Sequence, residues 1–148
     1  MSHRPSRPTA SRRRRQGGFT LIELLVVLVI LGLIAAFAAP QVIKYLSTAK
    51  QKSASIQIDR LAGQLDLYRL EVGSYPDDSD GLQALLEKPA DASGWNGPYL
   101  DKESQLVDPW GNRYRYRFPG EHGAYDLFSY GADNQPGGEG EAADVTNW

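Results

Sequence analysis

At 148 residues the chain has room for one modest domain beside a separate apolar segment. Its formal charge of −2 hides an asymmetry: the first eighteen residues hold six arginines and no acid, leaving ten basic against eighteen acidic residues beyond them. The absence of cysteine excludes disulfides, so any long loop must be fixed by other means.

The basic leader (Arg4, Arg7, Arg12, Arg13, Arg14, Arg15) runs straight into an apolar stretch from Phe19 to Ala39. Twenty-one residues at about 1.5 Å each make a helix of roughly 30 Å, enough to cross a hydrocarbon core. Arginines before such a span mark its cytoplasmic side, which places the acidic body outside the cytoplasm. An arginine run also fits nucleic acid, but no aromatic or recognition element accompanies it and a membrane span follows at once. Inside the span stands one charge, Glu23, which costs several kcal/mol unless it lies near an end or finds a partner. Three fates are open to the leader. It could remain as a plain anchor, or be cut after Ala36-Phe37-Ala38 as a secretory signal. The third fate comes from a resemblance.

Gly17-Gly18-Phe19-Thr20-Leu21-Ile22-Glu23 resembles the class III signal of type IV pilins and pseudopilins. The resemblance implies cleavage by a prepilin peptidase between Gly18 and Phe19, and methylation of the new terminal amine on Phe19. Glu23 then falls on the family's acidic fifth position, and Pro40 matches a proline late in its apolar helix. It also implies that the Glu23 carboxylate pairs, in an assembled fibre, with the terminal amine of a neighbouring subunit. A buried pair of that kind selects register more than it stabilises.

After Pro40 the residues Val42, Leu46, Ala49, Ser53, Ile56, Leu61, Leu65, Tyr68 and Val72, mostly apolar, recur mostly at three- and four-residue steps. That predicts an amphipathic helix continuing the membrane helix to about Val72, ended by Gly73 and loosened near Pro40. Asp77-Asp78-Ser79-Asp80 fits either a cation or the cap of the short helix begun by Leu82-Gln83-Ala84-Leu85-Leu86, the cap being the simpler reading. Residues 89–112 read as loop, with a strong turn at Asp108-Pro109-Trp110-Gly111-Asn112. Arg113 to Phe118 alternates arginine with aromatic, a half-buried strand, and Ala124 to Tyr130 returns as a second. His122, in the turn between them, has no nucleophile or metal set beside it, and no P-loop or zinc set occurs elsewhere.

The tail from Gly131 to Asp144 is glycine-rich and acidic, yet Val145-Thr146-Asn147-Trp148 ends in an aromatic that points to docking. Two readings stay open on these residues: an unstructured segment, or a loop folded round a hard cation by carboxylate and carbonyl oxygens. The spacing from Asp133 to Asp144 is not that of an EF-hand, since Gln135 and Gly137 stand where side-chain ligands belong.

The stretch from Asp108 to Trp148, with the leader and the GLQALL segment, resembles the major pseudopilin of type II secretion, the G-type subunit. That resemblance implies an α+β, pilin-like fold: a long N-terminal helix, half membrane and half amphipathic, packed on a small antiparallel sheet with a C-terminal calcium loop. The domains expected are a removed leader over 1–18, an assembly helix over 19–40 and a periplasmic domain over 41–148. One Ca²⁺ is implied, held by Asp133 and Asp144, the carbonyls of Tyr130 and Gln135, and a carbonyl within Glu139–Glu141, assigned to Glu141. The function implied is structural: a homopolymer anchored in the inner membrane and assembled into a periplasmic fibre that moves folded proteins across the outer membrane. Its partners would be minor pseudopilins, prepilin peptidase, the inner-membrane secretion platform, the secreted exoproteins and, before assembly, membrane lipid, with no nucleic acid. A type IV pilin for adhesion, motility or DNA uptake and a membrane-anchored calcium-binding protein are the alternatives. The missing cysteines argue against the first.

Overall fold

The computed structural model describes residues 18–148; the predicted leader, apart from Gly18, lies outside them. One helix dominates, α1 (Leu21–Val72, 52 residues). It begins with a reciprocal cap. Thr20 Oγ1 accepts the Glu23 backbone N–H at 3.2 Å, while Glu23 Oε2 accepts both the Thr20 N–H and the Thr20 hydroxyl at 3.1 Å. This is the Thr-x-x-Glu capping box, which satisfies orphan donors of the first turn. The helix ends at Gly73, whose φ of +98° suits glycine and whose N–H donates to the Arg69 carbonyl at 2.8 Å. Pro40 lies inside the helix. It has no N–H to donate to the Ala36 carbonyl, one turn back.

The chain divides into two compact units between Ala39 and Pro40. In the first, every described residue from Gly18 to Ala39 is exposed, and nearly all are apolar. α1 is the one helix among the described residues long and apolar enough to cross a membrane.

In the second unit α1 buries Ala54, Ile58, Leu61, Leu65 and Tyr68. Their steps of four and three residues hold one face of a 3.6-residue period. The predicted stripe is corrected here. Val42, Leu46 and Ile56 are exposed, and Ile58 and Ala54 take the core positions upstream of Leu61. Five residues separate Ile56 from Leu61, which turns Ile56 about 140° off the face that Leu61 sets.

Three antiparallel strands form the sheet, in the order β1 (Arg115–Arg117), β2 (Asp126–Ser129), β3 (Val145–Thr146). Tyr116 faces Leu127 across the first pair, and Phe128 faces Thr146 across the second. β1 alternates as predicted, with Arg115 and Arg117 outward. β2 is buried on both faces, because a strand sits on each side of it and α1 and the loops cover it. Leu127, Tyr114 and Tyr125 meet Ile58, Leu61, Leu65 and Tyr68 of α1 in a single core, closed by Leu82, Leu85, Leu100 and Leu106 from the connecting segment. The expected short helix after the acidic cluster is a single 3-10 turn, Gly81–Leu85, and two more 3-10 turns occur at Glu103–Leu106 and Gly140–Ala142.

Candidate functional site

Two regions carry the residues singled out from sequence. At the first, Gly18 and Phe19 precede α1 and are exposed, and Glu23 sits in its first turn as the acidic half of the capping box. Sequence reasoning missed the box. Its signal, a threonine three residues before a glutamate, was there to be read.

The second region is the loop from Tyr130 to Asp144. Four glycines in left-handed backbone shape it, and two are demanded by close approach. A Cβ on Gly131 (φ +71°) would lie 2.6 Å from the Glu141 carbonyl oxygen, and one on Gly138 (φ +92°) 2.5 Å from that of Ala142. The Ala132 N–H donates to the Glu141 carbonyl at 2.8 Å and closes the loop on itself. Lys50, on α1, lies 3.9 Å from the Glu141 carboxylate, and Gln51 donates to the Gly140 carbonyl.

A buried polar hub anchors the base of this loop. Asp108, 5% exposed, accepts the N–H groups of Trp110 and Asn112 on Oδ1 at 3.0 and 2.9 Å. Its Oδ2 accepts the Ser129 hydroxyl at 2.5 Å. Ser129 Oγ in turn accepts the Gly131 N–H at 3.0 Å, and the Asn112 amide donates to the Gly131 carbonyl at 2.9 Å. The Asp108–Asn112 turn is therefore wired to the first glycine of the loop. The sequence identified that turn but gave no sign of its partner twenty-one residues on.

Beyond the loop, Asp126 (2% exposed) accepts the N–H groups of Glu121 and His122 at 3.0 and 3.1 Å and the His122 imidazole at 3.2 Å. Burial alone would raise its pKa. The two N–H groups and the imidazole outweigh that and hold the carboxyl below its ordinary value. The His122 ring stacks on Trp148 with centroids 4.1 Å apart, and Asn147 exchanges hydrogen bonds with the Leu127 backbone. The C-terminal aromatic docks, as its sequence led one to expect.

The oxygens needed by a hard cation are distributed as follows. Asp133 and Asp144 each accept one local N–H, from Gln135 at 3.2 Å and from Gly137 at 3.0 Å, and each keeps a second oxygen free. The carbonyls of Tyr130 and Gln135 accept no hydrogen bond among the described residues. The Glu141 side chain turns to Lys50, so that residue has only its carbonyl to offer, already shared with Ala132. Among the described residues no three acidic or imidazole side chains converge. A cation here would rest on two carboxylates and backbone carbonyls, an all-oxygen set of the kind Ca²⁺ accepts.

A long helix with an exposed apolar first half and a second half packed on a small antiparallel sheet defines a pilin-like subunit. Comparison with known families agrees and narrows it. Residues 41–148 match the family model "Type II secretion system (T2SS), protein G", and residues 13–39 match "Prokaryotic N-terminal methylation motif". The chain is 46% identical over 141 residues to the type II secretion system core protein G of Pseudomonas aeruginosa, covering 93% of this chain and 98% of that one. It is 43% identical over 140 residues to the same protein of Vibrio cholerae, covering 93% and 94%. The crystal structure of the major pseudopilin from the type 2 secretion system of enterohaemorrhagic Escherichia coli superposes with a TM-score of 0.59 at 31% identity, over 68% of this chain and 88% of that one. The chain belongs to the type II secretion system protein G family. It is accordingly a structural subunit of the pseudopilus, without an enzymatic role. The single apolar N-terminal helix is that of a chain anchored in the inner membrane with its C-terminal domain in the periplasm.

Proposed function

We propose that this chain is the major pseudopilin of its secretion system, made as a precursor, cut between Gly18 and Phe19, methylated on Phe19 and then polymerised through α1. The division into a leader over 1–18, an assembly helix over 19–40 and a periplasmic domain over 41–148 belongs to this reading. The observation that carries it is the match to the N-terminal methylation motif over residues 13–39, which takes in the exposed apolar start of α1. Lipid covers that surface before assembly, and the helices of other copies cover it afterwards. Glu23 would meet the amine made at Phe19 of an adjacent copy; its second oxygen, outside the capping box, is available for this. The energy comes from elsewhere, since the chain has no phosphate-binding loop. Prepilin peptidase, minor pseudopilins, the inner-membrane platform and the exported proteins are its partners in this reading.

Calcium belongs to the same proposal. The free oxygens of Asp133 and Asp144 and the carbonyls of Tyr130, Gln135 and Glu141 would hold it, and its charge would offset the acids of a loop that no disulfide closes. When bound, the ion supplies coordination and charge neutralisation, and no chemistry. Mass spectrometry of the mature N-terminus tests the central step. A chain beginning at N-methylated Phe19 is expected; one beginning near Ala39 overturns the proposal.

A further inference from the structure

The core face of α1 does not stop at Ala54; it changes character. Steps of four, three and four residues lead from Ile58 to Ala54, Gln51 and Ser47, with Lys50 alongside. Ala54 is buried, Ser47, Lys50 and Gln51 are half-buried, and from Pro40 to Leu46 α1 is exposed all round. The stripe that buries apolar side chains from Ala54 onward is therefore polar in its first turn. Lys50 and Gln51 meet the C-terminal loop there. The Gln51 amide donates to the Gly140 carbonyl, and Lys50 Nζ lies 3.9 Å from the Glu141 carboxylate, both side chains 35% exposed. Donors on the helix face acceptors on the loop.

This stretch of α1 needs support from outside. Ser47, Thr48, Ser53 and Ser55 fall close together, and hydroxyl side chains compete with a helix for its own backbone groups. Thr48 does so here, its hydroxyl donating to the Lys44 carbonyl at 3.1 Å. A segment of such residues, with no apolar face to bury, keeps its helical order through tertiary contact. Among the described residues the side chains of Lys50 and Gln51 make that contact with one partner, the 3-10 turn Gly140–Ala142.

That turn is tied to the carboxylates proposed for the cation. The Ala132 N–H donates to the Glu141 carbonyl at 2.8 Å and the Ala143 N–H to the Gly140 carbonyl at 3.3 Å, and the residues that follow these two alanines are Asp133 and Asp144. Asp133, Glu139, Glu141 and Asp144 crowd negative charge into the loop, and Lys50 is the one basic side chain paired with any of them among the described residues. Without a further cation, repulsion among these acids opens the loop and loosens the turn from α1. With one, the turn is held and the helix beside it keeps its partner.

We propose that Lys50 and Gln51 are positioning residues that clamp the Gly140–Ala142 turn to α1, so that a cation held by the loop also orders α1 over residues 47–54. The proposal rests on the calcium reading of the loop and adds what occupancy does to the helix. Linkage makes the effect mutual: a chain without the clamp also takes up the ion less tightly. The test is hydrogen exchange, read by mass spectrometry on the full chain in detergent micelles, in Ca²⁺ and in chelator. In the parent, Ca²⁺ is expected to slow exchange over 131–144 and over 47–54, the latter by about fivefold. In K50A/Q51A it should still slow 131–144 but alter 47–54 by less than about twofold. The same variant should bind Ca²⁺ about fivefold more weakly in calorimetry. Exchange over 58–68, in the core, reports that each variant is folded. Should K50A/Q51A not fold, K50E and the swapped pair K50E/E141K take its place. The first is expected to lose the coupling and the second to recover it, which a merely structural role for Lys50 would not do. Ca²⁺ that slows the loop of the parent and leaves 47–54 unchanged overturns the clamp. So does a K50A/Q51A chain that responds and binds as the parent does, or a swapped pair that restores nothing. Loop exchange in the parent that is indifferent to Ca²⁺ brings down the calcium reading itself, and the clamp with it.

Discussion

Asp108 and Asp126 are buried carboxylates that hold the C-terminal third in place, and each does so by accepting backbone N–H groups. Loss of the Asp108 side chain strands the Ser129 hydroxyl and two backbone donors, so Asp108→Ala is expected to cost about 3 kcal/mol in urea unfolding. Ser129→Ala, which removes one bond to the carboxylate and one to Gly131, should cost roughly 1–2 kcal/mol. For Asp126 the folded carboxyl titrates below its ordinary value of 3.8. The unfolded chain therefore binds a proton first, and the stability Asp126 adds is complete above that value and drains away as pH falls beneath it. Thermal melts from neutral pH downward should show the parent losing stability more steeply below pH 3.8 than Asp126→Asn does. Parallel curves for the two would discount the carboxylate's role.

The element that matters most is α1, and its core face can be checked directly. Ile58→Ala is expected to cost roughly 2–4 kcal/mol and Ile56→Ala under about 0.5 kcal/mol, since only the first opens a cavity. Equal costs would mean that the face has been assigned wrongly. At its other end Glu23 closes the capping box and, in the proposed fibre, would also pair with a neighbour's amine. Glutamine preserves a capping box but carries no charge. Glu23→Gln is therefore expected to be processed and inserted yet to assemble poorly, and Glu23→Ala likewise. Normal filaments from Glu23→Gln would leave the capping box as the residue's whole contribution. Sequence made α1 legible because its evidence is local: an apolar run of the right length, a three-to-four periodicity, a terminal glycine. Of the misreadings on its core face, Ile56 for Ile58 came from accepting a five-residue step where the helical period allows none; Val42 and Leu46, also assigned to the stripe, are exposed. The acidic cluster was misread for a related reason. Asp80 has the right identity and place for a cap, but the backbone closed the turn without it.

At the scale of the whole molecule, stability without disulfides depends on how the C-terminal loop is tied down. The hub at Asp108, the Lys50–Glu141 pair and the stacked His122–Trp148 rings do part of this. A cation bound only by the folded chain would add RT ln(1 + [L]/Kd), roughly 2.7 kcal/mol at a hundredfold excess over Kd. Chelation is expected to lower the melting temperature, and Asp133→Ala to remove the difference; identical melts with and without chelator would rule the ion out.

Sequence by itself determined the anchored helix, the processing motif, the alternation of β1 and the glycine-rich character of the last loop. Each follows from periodicity or from neighbouring residues, which a linear reading can see. Tertiary structure alone decided that β2 is buried on both faces and that Asp108 reaches Ser129. Those contacts join residues far apart in the chain, and which polar groups share a buried space is fixed by packing after the core has closed.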